Sequence, residues 1–296
     1  MTFPPPHIHH PQTTHTNTII LLHGRGSNGP EFADELFSSS PSSPPQPQPA
    51  QHPEKEKEKT NLATHLPQTR WVFPTTKTRW DTRFQEESPA WFDVYSLTDI
   101  EARSELQVDG LRESVDHVLR ILEAEVALLG GDARRVVLGG MSMGMATALW
   151  ALLGSRSRIS TSSSGRAGGR LGLGGFLGFC GWFPFAGVAE RLLGSGCARG
   201  QDRELVSTVL GDSTDDNSSS SSSSVPDATI PVLLLHGADD AFVSVDLGRQ
   251  AAGIVEMSGM SVQWHEYDGA DNDGHWIKEP EGFDRILEFV GGIASL

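Results

Sequence analysis

Apolar residues come in two rhythms along the chain. Short, near-continuous runs at 17–23 (NTIILLH), 70–74, 135–141, 175–182, 230–236 and 261–267 (SVQWHEY) have the length and branched content of strands. Between them, apolar positions recur every three or four residues. In the longest such segment Leu111, Val115, Val118, Leu119, Leu122, Val126 and Leu129 share one helical face, and Gly130–Gly131 end it. Further helices are predicted at 144–153, 245–257 and 280–291. Buried strands alternating with helices predict an α/β protein with a mostly parallel sheet covered on both faces. Ligands bind such sheets at the carboxyl ends of the strands.

Four segments break the rhythm. Residues 1–16 are rich in Pro, His and Thr, 38–60 join a Pro/Ser tract to EKEKEK, and 155–170 and 212–226 are Ser/Gly-rich. None carries enough apolar surface to offset its ordering entropy, so disorder is expected there. This leaves a disordered tail over 1–16 and one domain over 17–296 with low-complexity inserts.

Composition narrows the class. Lys and Arg number 23 against 38 Asp and Glu, a formal charge of −15. That balance argues against nucleic-acid and anionic-membrane partners, which require a basic face. Two uncharged runs, 136–154 and 171–189, approach the length of a membrane span. The first changes period from strand to helix and the second is interrupted by glycines, so both are expected inside a soluble fold. Cys180 and Cys197 form neither a C-x-x-C pair nor a disulfide framework. The first residues lack a basic stretch followed by an apolar one, and a cytoplasmic protein is expected.

The chemistry concentrates at strand ends. Gly140-Met141-Ser142-Met143-Gly144 follows one predicted strand and opens a helix, the context of a nucleophile elbow. There a serine sits on a tight turn with its hydroxyl exposed, and flanking glycines let strand and helix pass closely. A serine needs a base, and the base an orienting carboxylate, in the chain order Ser, acid, His. His275, in the loop YDGADNDGHW, is placed to be that base; His236 precedes the candidate acids, and His265 lies inside a strand. The acid is Asp239 or Asp240, in the turn after the strand ending at His236, with Asp240 preferred.

Gly24-Arg25-Gly26-Ser27-Asn28-Gly29 also matches a dinucleotide-binding loop. That reading requires a second strand ending in an acid about 20 residues on, where this chain has its Pro/Ser tract. In a serine hydrolase the same loop offers a backbone N–H to the oxyanion, making Arg25 and Met143 the expected donors. Asp268, Asp271 and Asp273 do not fit an EF-hand frame. His7, His9, His10 and His15 lack Cys or carboxylate partners, so no metal site is expected.

LLHGRGSNG (21–29), SPAWFDVYSL (88–97), LGGMSMG (138–144), LLLHGADDAFVSV (233–245) and the DGHW segment occur in one order along the core. This set resembles the acyl-protein thioesterase/carboxylesterase family, the phospholipase/carboxylesterase branch of the α/β-hydrolases. The resemblance implies an α/β-hydrolase fold and a cofactor-free Ser-Asp-His enzyme cleaving carboxylic esters and thioesters such as S-palmitoyl-cysteine. An S-acylated protein or an acylated small molecule is the implied substrate. Trp91 and Phe92 are expected either in the acyl groove or in the core. Met143 replaces a common Gln, and Arg25 replaces a common apolar residue. The Arg25 charge leads us to expect a preference for anionic substrates. A catalytically idle scaffold is the alternative, one that would not need all three triad residues.

Overall fold

The computed structural model describes residues 2–42, 60–162, 172–194, 199–211 and 229–294. A short strand, β1 (His7–His9), precedes β2 (Asn17–Leu22), which leads through a loop into helix α1 (Gly29–Ser38). Then come a single-turn helix α2 (Leu62–His65), β3 (Thr69–Phe73) and a hairpin of β4 (Thr78–Asp81) and β5 (Glu86–Pro89). The long helix α3 (Gln107–Leu128) returns the chain to β6 (Val136–Met141), which runs through Ser142 into α4 (Met143–Ser162). Next are β7 (Gly175–Phe179), α5 (Ala186–Leu193), α6 (Gly200–Leu210) and β8 (Pro231–Gly237). The chain closes with α7 (Val245–Met257), β9 (Ser261–Tyr267) and α8 (Glu281–Ala294).

The main sheet has the strand order β1-β3-β2-β6-β7-β8-β9, and every pairing is parallel except β1 with β3. Strand alternation sorts the core into two layers. Ile20, Leu22, Val232 and Leu234 face one way and pack with Val118, Leu122, Trp150 and Ile254 from α3, α4 and α7. Ile19, Leu21, Leu233 and Leu235 face the other way, against Phe32 and Leu36 of α1 and Phe283 and Ile286 of α8. These side chains are almost wholly buried, and each contributes roughly 1.5–3 kcal/mol of transfer free energy. The first turns of α4 are buried on nearly every side, as expected for a helix apolar all round. Among the described residues, no helix is long and apolar enough to cross a membrane.

The expected disordered tail over 1–16 is corrected. His7, Ile8 and His9 pair with Phe73, Val72 and Trp71, so ladder hydrogen bonds along the open side of β3 supply the order that apolar content could not. Phe3 also stacks on His117 at 4.0 Å. Of the expected inserts, residues 43–59, 163–170 and 212–226 lie outside the described residues. Around them the chain is more regular than expected: α4 continues to Ser162, and the Ser40 and Ser42 amides donate to Glu279 and Asp284. The strand expected to Trp182 stops at Phe179, because Cys180 adopts a left-handed φ of 47°.

Candidate active site

Four strand ends build one cleft. The loop after β2 brings residues 24–27, β6 brings Ser142 and β8 leads to Asp240. The segment after β9 brings His275. The cleft encloses about 1000 Å³, and its lining includes Gly24, Arg25, Ser142, Met143 and His275.

Ser142 has φ 54°, a left-handed conformation for a non-glycine residue. Its backbone is held on both sides: its N–H donates to Phe179 O at 2.8 Å, and its carbonyl accepts Ala146 N–H at 3.1 Å. The elbow closes only with glycine at its flanks. A Cβ on Gly144 would lie 2.3 Å from Leu22 O, and one on Gly140 would lie 2.6 Å from the Gly144 carbonyl carbon.

His275 donates from Nδ1 to Asp240 Oδ2 at 2.6 Å, which leaves Nε2 for a proton acceptor's role. The Asp240 side chain is shielded from solvent, and its Oδ1 accepts the amides of Phe242 and Val243 at 2.8 and 2.9 Å. Burial works to raise this carboxyl. Hydrogen bonds from His236, His275 and the Val243 amide outweigh it and hold Asp240 well below the usual carboxylate range. Asp239, the other candidate acid, instead accepts the Gly269 amide at 2.8 Å and ties down the loop leading to His275.

His236 is more than a strand end. It is buried, its Nε2 donates to Val243 O at 2.9 Å, and the same nitrogen lies 3.4 Å from Asp240 Oδ2. Its position immediately before the Gly237-Ala238-Asp239 turn was the signal available in the sequence. Cys180, to which sequence reasoning gave no role, follows β7 as Ser142 follows the neighbouring strand β6. Burial pushes its thiol up to about 12, so it stays protonated.

The loop after β2 is fixed from behind. His23 Nε2 accepts the Thr76 amide at 3.1 Å, so Nδ1 carries the hydrogen and donates to Gly24 O at 2.7 Å. Trp91 Nε1 donates to His23 O at 2.8 Å, and the Gly26 amide donates to Pro89 O at 2.8 Å. A Cβ on Gly24 would lie 3.5 Å from Ser142 Cβ, which measures how closely this loop approaches the serine. Met143 is the first residue of α4, where backbone N–H groups lack intrahelical partners.

Burial lowers the His23 pKa to about 4. The unfolded chain takes up this proton near pH 6.5, and the folded chain does so only near 4. The stabilising effect of the neutral ring is therefore complete above about 6.5 and lost as pH falls towards 4, by at most about 3 kcal/mol. Burial shifts His117 in the same direction. Urea midpoints measured from pH 8 to 4 are expected to fall, and His23→Gln to flatten that fall; parallel profiles would remove His23 from the account.

One open expectation is resolved here and another is corrected. Trp91 and Phe92 are fully buried and do not line the cleft; Trp91 holds the loop after β2 through the His23 carbonyl, and Phe92 packs edge-on against Trp182. The apolar lining comes instead from residues such as Leu97, Trp182, Phe242 and Trp276. Arg25 does not present a free cation: its guanidinium pairs with Asp81 at 3.1 Å and lies 4.8 Å from the Phe84 ring centroid. Glu31, Asp34, Glu35, Asp271 and Glu279 also line the cleft. Its mouth is negative, the reverse of what an anionic substrate needs.

Comparison with known proteins points the same way. Residues 51–188 match the family model described as Phospholipase/Carboxylesterase. Acyl-protein thioesterase 1 of Yarrowia lipolytica is 23% identical over 87% of this chain and 85% of its own length. A probable carboxylesterase SOBER1-like of Arabidopsis thaliana is 25% identical over 89% of this chain and 74% of its own. The crystal structure of Zea mays acyl-protein thioesterase 2 superposes with a TM-score of 0.62 at 25% identity, covering 97% of this chain and 98% of that one. In its seven-stranded topology and strand-end cleft the chain is similar to the phospholipase/carboxylesterase family of α/β-hydrolases.

Proposed function

We propose that this enzyme hydrolyses thioesters and carboxylic esters through Ser142, His275 and Asp240, with S-acylated protein as the favoured substrate. The observation that carries the assignment is the 2.6 Å His275–Asp240 hydrogen bond at the same cleft as the strained Ser142. Ser142 Oγ attacks the acyl carbonyl while His275 Nε2 takes its proton. The oxyanion is held by the Arg25 and Met143 amides, aided by the positive end of α4. The imidazolium, stabilised by Asp240, returns the proton to the leaving thiol or alcohol. Water, activated by the same imidazole, then releases the acid from the acyl-enzyme. Asp240 sets the tautomer and keeps its charge throughout.

The cleft volume stands at the upper end of the range for small-molecule sites. With Leu97, Trp182, Phe242 and Trp276 on its walls, it suits an extended acyl chain better than an acetyl group. A free Cys180 thiol fits a reducing, cytoplasmic setting.

The test is kcat/KM on S-acyl peptides of increasing chain length, beside matched oxygen esters. Each methylene taken into the groove contributes about 0.8 kcal/mol, or roughly fourfold in kcat/KM until the groove is filled. A rise from short to long chains supports the acyl-protein reading. A maximum at two to four carbons would make the enzyme a short-chain carboxylesterase.

A further inference from the structure

Beside the His275–Asp240 pair lies a buried thiol, Cys180, that the proposed hydrolysis leaves unused. Cys180 Sγ, a carboxylate oxygen of Asp240 and a ring nitrogen of His275 all lie within 4.8 Å of one another, the one such trio among the described residues. The thiol has long contacts with the Tyr267 hydroxyl at 3.6 Å and with the Trp276 and Gly274 carbonyls at 3.8 and 4.0 Å. Tyr267 satisfies itself without the sulfur, by donating to Trp276 O at 2.7 Å. Sulfur, imidazole and carboxylate together form a mixed set of the kind that selects zinc and cadmium over calcium or magnesium.

We propose that Cys180, Asp240 and His275 form an inhibitory site for a thiophilic divalent cation such as Zn²⁺ or Cd²⁺. Zinc bonds of about 2.0–2.3 Å draw the three donor atoms inwards by small shifts, with water completing a tetrahedron. The protons balance simply. The Cys180 thiol loses one proton to solvent as its sulfur binds the metal. The His275 hydrogen moves from Nδ1 to Nε2, so the ring stays neutral while Nδ1 binds. One thiolate and one carboxylate then neutralise the dication, which spares the buried site a net charge.

The moved hydrogen accounts for the inhibition. With Nε2 protonated, His275 has no lone pair for the Ser142 proton, and Asp240 no longer orients the ring. The route in runs past His275, the member of the trio that reaches the cleft. Its loop must yield for the metal to pass. Asn272, Asp273 and Gly274 all have left-handed φ values there, and a Cβ on Gly274 would lie 2.7 Å from Asp239 Oδ1. Inhibition is therefore expected to develop slowly and to be reversed by a chelator.

Metal binding rests on geometry alone, whereas inhibition also rests on His275 acting as the base. Two readouts on tag-free protein separate them. Titration with Cd²⁺ alone, followed by sulfur-to-cadmium ultraviolet absorption, reports the thiolate bond in wild type and in Ser142→Ala. Zn²⁺ inhibition of ester turnover reports the consequence, read for wild type, Cys180→Ala and Cys180→Ser against each protein's own uninhibited rate. The expected result is an absorption band lost in both Cys180 variants, with half-inhibition by Zn²⁺ moved at least about tenfold higher. A band that survives Cys180→Ala places the metal on Cys197 and overturns the proposal, as does unchanged Zn²⁺ sensitivity. No band in wild type also overturns it. A Cys180-dependent band without inhibition supports the site and counts against His275 as the base.

Discussion

Ser142→Ala is expected to lower kcat by at least about 10³-fold, to the residual rate that oxyanion binding alone supports. Alanine keeps the Cβ and the left-handed backbone, and the amide and carbonyl bonds that hold residue 142 are main-chain. The melting temperature should therefore move by no more than a few degrees. Intact-mass measurement after a fluorophosphonate gives the matching chemical result: one adduct on wild type and none on Ser142→Ala. Retained turnover, or an adduct that survives the substitution, would assign the nucleophile elsewhere.

Asp240→Asn is expected to cost about 10³–10⁴-fold in kcat, by a different route. The asparagine oxygen can still accept the Phe242 and Val243 amides, so the turn is preserved. Its NH₂ then faces His275 Nδ1, which must turn from donor to acceptor. The ring hydrogen moves to Nε2, and the base meets Ser142 with a proton already in place. In wild type Asp240 is held ionised well below the usual range, so loss of kcat/KM at mildly acidic pH belongs to another group. A depressed carboxyl also stabilises the fold above its unfolded pKa, a contribution lost only as pH falls through the folded value. If Asp240→Asn kept wild-type kcat with an unshifted pH profile, the orienting role would pass to another carboxylate.

The residues proposed as the triad stand out in the sequence because each sits where a strand pattern breaks. Ser142 follows a branched run and precedes an apolar helix, Asp240 closes a run of leucines, and His275 follows the alternating strand SVQWHEY. What surrounds them was not legible. Trp91 and Phe92 read equally as groove or core, because an aromatic pair carries no periodicity of its own; only the His23 carbonyl, far away in sequence, decides the role of Trp91. Arg25 read as a free cation because Asp81, its partner, arrives on a hairpin of two four-residue strands, too short for alternation to reveal. His7–His9 were missed because edge pairing depends on main-chain groups, which the side-chain pattern does not report. Helix α1 was also missed; its start is marked by Asn28, whose side chain accepts the Glu31 amide.

Ser142 and Cys180 leave neighbouring strands in register, and both adopt left-handed backbone without being glycine. Each such residue costs of order 1–3 kcal/mol, against a typical total stability of 5–15. The most interior strands of the sheet thus carry local strain at the end where the proposed chemistry occurs, and the packed layers beneath must offset it. Thermal hardening and catalytic competence draw on the same few residues here. A search for tougher variants that screens only for heat resistance would be drawn to glycine at 142, relaxing the elbow and discarding the hydroxyl it exists to present.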